Sequence, residues 1–426
     1  MAKPARAAVS TDLFPVIEHT LANGLRVRLL PDRGLPTVSC YTFFRVGSRN
    51  ERPGITGIAH LFEHMMFNGA AKYGPKEFDR VLESHGGNSN AYTSNDVTAY
   101  YEDFTSSALE KVLDLESDRM RSLAITPETL LQEREVVKEE RRLRTDNDIL
   151  GMLDEQLGAT LFLAHPYRWP VIGWMGDIEA ITREDCLAFF RTYYAPNNAT
   201  LLLCGDFEPE AALALIKRYY GDIPAGPPAP EVPAYEPPQK GERRAQVRYP
   251  AQAAALAMGF HAPKAADPLT PVIDVLQYAL SAGEGALLTQ RLVYQDELAV
   301  NAMVDFSWRI DPGAFSIYVE LKPGIDPRKA EAAIEKVLLG IAEKGLAPAD
   351  LDRAKNMLRA RGLRELCTHN GRAHAFGNAE VFMGDWRAAL SLIERYQAVT
   401  SANVKAAGKA LFDPAKKSVV TLVPTA

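Results

Sequence analysis

Residues 60–64 read His-Leu-Phe-Glu-His. On an α-helix, positions i, i+3 and i+4 share a face. His60 and His64 then grip one ion, and Glu63 stands beside it. Two imidazoles and a carboxylate, with water in the fourth place, suit zinc. Bound zinc lowers the pKa of water to about 7. A glutamate at its side takes the proton as the water attacks a carbonyl. The spelling H-x-x-E-H is that of an inverted zincin, so the chemistry implied is peptide-bond hydrolysis with Glu63 as base. Thr56 is expected to cap the helix, Met65, Met66 and Phe67 to continue it, and Asn68-Gly69 to end it. The bland reading is two surface histidines on an amphipathic helix; apolar Leu61, Phe62 and Met65 around them favour partial burial instead.

A third ligand is needed. Glu133-Arg134-Glu135-Val136-Val137-Lys138-Glu139-Glu140 follows Thr126-Pro127-Glu128, a good helix start. Glu133 and Glu140 are seven apart, two helical turns, and lie on one face. Glu139 points about 100° away. A charged run is ordinarily a solvated face, so pattern alone leaves Glu139 and Glu140 both open.

The elements that position these groups follow from length and punctuation. A chain of 426 residues implies two or three domains. Residues 223–241, IPAGPPAPEVPAYEPPQKG, contain seven prolines and read as a stiff extended linker. It divides the chain into 1–222, carrying the metal motif, and 242–426, which lacks it. The halves look related. Thr182 opens a helical pattern that reaches Pro196 and then the strand Thr200–Cys204; Thr400 opens one that reaches Pro414 and then Ser418–Val423. Thr to Pro is 14 residues in both (196 − 182 and 414 − 400), which reads as a weak internal repeat. Around Asn23-Gly24 a hairpin-like pair, Gly24–Leu30 and Pro36–Val46, is expected. Helical patterns fall near 56–67, 75–84, 106–123, 127–145 and 149–163, with Asn88–Phe104 extended between them. The second half reads as a strand (Ala245–Phe260), helices near 267–281 and 286–296, strands in Val300–Leu321, then helices near 327–343 and 348–366. This mixture implies an α+β fold: two related domains, each a mostly antiparallel mixed sheet covered by helices on one face.

Composition excludes several classes. Hydrophobic residues make up 47% of the chain and charged residues 24%, as in a globular protein. No apolar run reaches 18 residues, so no membrane-spanning helix is expected. The net charge of -6, with both signs mixed, argues against a nucleic-acid surface. Cys40, Cys186, Cys204 and Cys367 are too scattered for a disulfide scaffold or a Cys-type zinc site. Met1–Arg6 lacks the apolar core of a signal peptide. The expectation is a cytoplasmic protein, or a bacterial periplasmic one if an export signal has been removed.

The motif, the downstream glutamates and the two-half layout resemble the M16 metallopeptidases, in the short processing-peptidase branch. Residues 54–65 look like the family's motif helix and lead-in, and Gly86–Thr93 like its substrate-binding edge strand. His165-Pro166-Tyr167, 194–198 and Gly205-Asp206 are further marks. The resemblance covers most of 15–210 by motif and the rest by layout. It implies Glu140 as third ligand, because the family places that residue 76 or 77 past the second histidine, and 140 − 64 is 76. It implies Glu133 as the supporting glutamate, and Asn90, Ala91, Tyr92 and Thr93 as the strand that pairs with an extended peptide.

In the family a second module closes over the zinc and supplies an Arg and a Tyr, seven apart. Aligned on Leu298-Ala299, those positions here hold Val293 and Val300, which donate no side-chain hydrogen bond; Arg291 and Tyr294 have the wrong spacing and order. The resemblance therefore implies one zinc per chain and a related non-catalytic partner subunit carrying the missing pair. Residues 281–285, Ser-Ala-Gly-Glu-Gly, read as a helix connector rather than the family's glycine-rich loop. The competing readings are a non-catalytic scaffold subunit and a self-sufficient homodimeric peptidase.

Overall fold

The computed structural model describes residues 14–232 and 235–425. Met1–Arg6 and two residues of the linker, 233 and 234, lie outside the described residues. The described residues within Met1–Glu139, Pro170–Val232 and Arg364–Leu390 form one compact unit, and those within Glu140–Trp169, Pro233–Leu363 and Ser391–Ala426 the other.

The first unit is built on β1 (Ile17–Thr20), β2 (Arg26–Pro31), β3 (Thr37–Phe44), β4 (Asn88–Thr93), β5 (Thr98–Thr105) and β6 (Ala199–Gly205), ordered β1-β2-β6-β3-β5-β4. The second has β7 (Arg243–Tyr249), β8 (Ala255–Ala262), β9 (Ala299–Asp305), β10 (Gly313–Leu321) and β11 (Ser418–Pro424), ordered β7-β11-β8-β10-β9. The orders coincide strand for strand once β1 is set aside. Directions coincide too: β2 runs parallel to β6 as β7 does to β11, and the other pairs are antiparallel.

The repeat extends to single hydrogen bonds. The Thr182 hydroxyl accepts the Asp185 N–H at 3.1 Å while Asp185 accepts the Thr182 N–H at 3.1 Å. Thr400 and Asn403 exchange the same two bonds at 3.2 and 3.0 Å. Each capped helix leads to a proline-started turn, Pro196–Asn198 or Pro414–Lys416, and then to a central strand. β6 is buried along its whole length, as its sequence Ala-Thr-Leu-Leu-Leu-Cys-Gly requires of a strand covered on both faces.

One face of the first sheet packs against Ile58, Leu61, Phe62 and Met65 of the helix Ile58–Met65, among others. The opposite face carries the helix His369–Met383, which lies on β3 and β6. Gly377 lets it approach: a Cβ there would fall 2.0 Å from the Phe43 ring. In the second unit the corresponding helix is Ile149–Leu161, whose Leu153 and Leu157 pack on Ala255, Ala257, Val420 and Leu422. Each unit thus contains one helix from the other half of the chain, crossing the division at 222 and 242 that the linker suggests.

Two strand expectations are corrected. Arg26–Pro31 pairs with Ile17–Thr20 as a hairpin about Asn23-Gly24, not with Thr37–Phe44, because β6 is inserted between β2 and β3. Ala245–Phe260 is two strands rather than one, with β11 between them.

Candidate metal centre

The helix that carries the motif begins abruptly. Gly57 has φ 90°, a left-handed conformation that glycine adopts without strain. Its backbone meets that of Gly173, also left-handed: a Cβ on Gly57 would lie 2.4 Å from the Ile172 carbonyl oxygen, and one on Gly173 would lie 2.3 Å from that of Thr56. Thr56 is not the cap. Its hydroxyl donates to Asp177 at 2.7 Å and accepts the Trp174 N–H at 3.0 Å. Glu51 caps instead, its carboxylate oxygens accepting the N–H groups of Gly57 at 2.9 Å and Ala59 at 2.8 Å. Burial pushes the Glu51 carboxyl above its ordinary range, and those two N–H groups oppose the shift. Further along, the Tyr100 hydroxyl donates to the Phe62 carbonyl at 3.0 Å. The Tyr100 ring is braced by the buried Arg119 guanidinium, 4.6 Å from its centre, which in turn bonds Glu102 and Glu116.

So held, the helix presents His60, Glu63 and His64, all three half-buried. The two imidazole rings stand 5.0 Å apart, centre to centre. His64 Nδ1 lies 3.5 Å from a Glu133 carboxylate oxygen. Hydrogen bonds from His64, first, and Asn68 hold Glu133 below the usual carboxylate range, against its burial. A histidine whose Nδ1–H is held by a carboxylate offers Nε2 to a metal.

Glu133 and Glu140 share the helix Pro127–Arg141. The boundary between the compact units falls inside this helix, whose unbroken course fixes Glu140 relative to Glu133. The ligand atoms of His60, His64 and Glu140 lie within 4.8 Å of one another. No other group of three His, Cys, Asp or Glu side chains converges in this way among the described residues. Glu139 is on the exposed side of the helix. Two imidazole nitrogens and one carboxylate oxygen at this spacing fit a zinc ion, whose bonds are about 2.0–2.2 Å. Arg144, in the π-helical turn Arg142–Asp146 that continues the helix, places Nη1 3.1 Å from Glu140 Oε1.

Asn90–Thr93 lie on β4, the outermost strand of the first sheet, in contact with the motif helix. Its outer edge has backbone groups that no strand of the sheet takes up. Asn90 is exposed, and its side-chain oxygen accepts the Ala91 N–H at 2.8 Å. Ala91 and Thr93 are half-buried. Tyr92 turns to the opposite face of the sheet, where its hydroxyl donates to Asn378 at 3.3 Å and its ring meets His374. In the second unit, Arg291 pairs with Asp296 at 2.7 Å and the Tyr294 hydroxyl donates to Glu284, while Val300 is exposed.

Sequence reasoning missed Glu51, Gly173, Asp177, Tyr100 and Arg144. Only Gly57, directly before an apolar helix start, hints at the left-handed turn the cap requires.

Comparison with known proteins places these features. Residues 27–173 match the family model described as insulinase (peptidase family M16), and residues 180–358 the model described as the peptidase M16 inactive domain. The zinc protease PqqE of Helicobacter pylori is 34% identical over 346 residues, 79% of this chain and 77% of that one. A probable mitochondrial-processing peptidase subunit beta of Arabidopsis thaliana is 26% identical over 411 residues, covering 92% and 76%. Among solved structures, a protease from Helicobacter pylori superposes with a TM-score of 0.93 at 29% identity, covering 96% of this chain and 100% of that one. The chain belongs to peptidase family M16, the insulinase family.

Proposed function

We propose that this chain is the metal-bearing subunit of a zinc peptidase that hydrolyses peptides or unfolded polypeptide segments. The observation that carries the reading is the convergence of His60, His64 and Glu140 donor atoms within 4.8 Å. Zinc in the relatives' names supports the choice of ion. When bound, the ion polarises the scissile carbonyl and acidifies a water molecule. Glu63 takes the proton from the attacking water and returns it to the departing amide nitrogen. Glu133 holds His64 in the ligating orientation. The outer edge of β4 receives the peptide as an added strand, through backbone hydrogen bonds that are indifferent to side-chain identity.

A related partner subunit supplies the Arg and Tyr that bind substrate and the developing oxyanion. Support comes from Val293 and Val300 at the expected positions, and from Arg291 and Tyr294 being held by carboxylates of their own unit. An oxyanion donor is worth about 3 kcal/mol in other hydrolases, roughly a hundredfold in rate each. The chain purified alone is therefore expected to bind zinc and cleave peptides weakly.

Co-purification from the native source, with metal analysis of the eluate, tests both parts. Near one equivalent of zinc per chain and a related co-eluting subunit are expected. Absence of metal would favour the scaffold reading. Strong peptidase activity from the homogeneous chain would remove the partner.

A further inference from the structure

Arg144 stands one helical turn beyond a carboxylate that the proposed centre requires. Its backbone is pinned. Arg141, beside it, is buried and bonds Glu155 at 2.8 Å and Asp146 at 3.2 Å. Asn147 N–H closes on the Arg142 carbonyl at 2.8 Å, and the Gly151 backbone abuts the Arg144 carbonyl so closely that a Cβ there would fall 2.1 Å from it. The side chain is otherwise: 74% exposed, with Nη1 on Glu140 Oε1 at 3.1 Å. An exposed i,i+4 pair of this kind contributes little to stability. A guanidinium has five N–H donors in a planar fork. One reaches Glu140, and most of the remaining surface faces solvent.

Distance decides what those donors can meet. A Glu140 carboxylate oxygen lies within 4.8 Å of both histidine ligand atoms, and Arg144 Nη1 is 3.1 Å from Glu140 Oε1. An extended peptide advances about 3.3 Å per residue. A carboxylate one or two residues from the reacting carbonyl therefore falls within the reach of Arg144. An Arg–carboxylate fork is the strong, directional form of this contact.

We propose that Arg144 is a specificity-determining residue that binds a substrate carboxylate close to the bond being cleaved. The proposal rests on the metallopeptidase reading and adds a substrate class to it: peptides with an acidic side chain, or a free chain terminus, within about two residues of the scissile bond. Arg144 is tethered by Glu140 and shares that carboxylate with the ligand set, so the substrate carboxylate completes the charge balance around the guanidinium.

The test uses the full chain as the Glu63→Gln variant together with its co-purified partner subunit, with and without a chelator, and fluorescent dodecapeptides read by anisotropy. One peptide is neutral and amidated, a second series walks a single glutamate along the same amidated sequence, and a third keeps the neutral sequence with a free C-terminus. At least one carboxylate-bearing peptide should bind about 10–100-fold more tightly than the neutral one, the range of a charge-assisted contact. Adding Arg144→Gln should abolish that advantage and leave neutral-peptide binding within about twofold. Arg144→Lys, which keeps charge without the fork, should restore a minor part of it. The position of the best glutamate, or the free terminus, tells the two carboxylate sources apart. A parent variant with no carboxylate preference, or Arg144→Gln retaining it, overturns the assignment. Zinc measured on the same preparations separates the failures. One equivalent without preference sinks Arg144 alone; no zinc in any preparation sinks the metal reading and this proposal with it.

Discussion

His64 Nδ1 faces the Glu133 carboxylate at 3.5 Å, seven residues before Glu140 on the same helix. In the proposed centre, one helix thus offers a ligand from one turn and the group that orients another ligand from two turns earlier. Partners of this kind typically matter 10–100-fold in metal affinity or activity. Glu133→Ala should lower the peptidase rate by about that factor, and zinc should still reach one equivalent at saturation. Glu133→Gln retains an acceptor for Nδ1–H and should fall between. The check is kcat beside a zinc titration of each variant. A Glu133→Ala enzyme with unchanged kcat would make the contact incidental.

Glu63 sits on the motif helix between the two histidines and is proposed to carry protons, not metal. Glu63→Gln should hold zinc at the parent stoichiometry and lose turnover by at least about 100-fold, the lower end of general-base contributions. His64→Ala and Glu140→Ala should instead lose zinc affinity itself. Metal analysis and cleavage assays, both with the partner present, separate the classes. Normal cleavage by Glu63→Gln would remove it as the base.

The legible part of this centre was the local part. His60, Glu63 and His64 are related by helix geometry within five residues, so spacing suffices. Glu139 and Glu140 could not be separated by pattern, because the choice depends on how one helix is phased against another. Only the resemblance to M16 pointed to Glu140, and it is a Glu140 carboxylate oxygen that lies within 4.8 Å of the ligand atoms of His60 and His64. Glu51 left no signal, since it lies in a turn and its role as cap arises from tertiary packing. The helix His369–Met383 escaped for a different reason. Its buried residues are His369, Ala373, Phe376, Gly377, Ala379, Glu380 and Val381, most of them too small or too polar to write an apolar stripe. The repeat was visible through Thr182 and Thr400, whose caps impose the same short-range rule twice.

Glu51 should be among the costliest carboxylates in the first unit to replace. It takes two N–H groups at the start of the motif helix and is buried. Glu51→Ala leaves both without that acceptor, at about 1–3 kcal/mol. A chain of this size should then lose several degrees in Tm, and zinc affinity should fall because His60 is only one residue beyond Ala59. Glu51→Gln keeps one acceptor and should recover part of both. Unchanged Tm in Glu51→Ala would show that the turn caps itself by other means.

Asp274 gives the second unit a pH dependence. It lies in the helix Thr270–Ser281, buried, accepting the Tyr396 hydroxyl at 2.9 Å and the Trp308 Nε1–H at 3.3 Å. Burial pushes its carboxyl up to about 7; the Tyr396 and Trp308 bonds, and the charges of Arg361 and Arg395, oppose the shift. The folded state therefore favours the protonated acid. Its contribution to stability is complete below the unfolded pKa, near 4, and is lost as pH rises through about 7. The loss is on the order of a few kcal/mol, since each pKa unit is worth about 1.4. Asp274→Asn, neutral throughout, should melt with a weaker fall between pH 5 and pH 8 than the parent, so that the gap between them narrows or reverses toward pH 8. Thermal melts of both chains at those two pH values provide the measurement. Parallel pH profiles would mean that Asp274 holds its ordinary charge despite burial, with the two flanking arginines prevailing over desolvation.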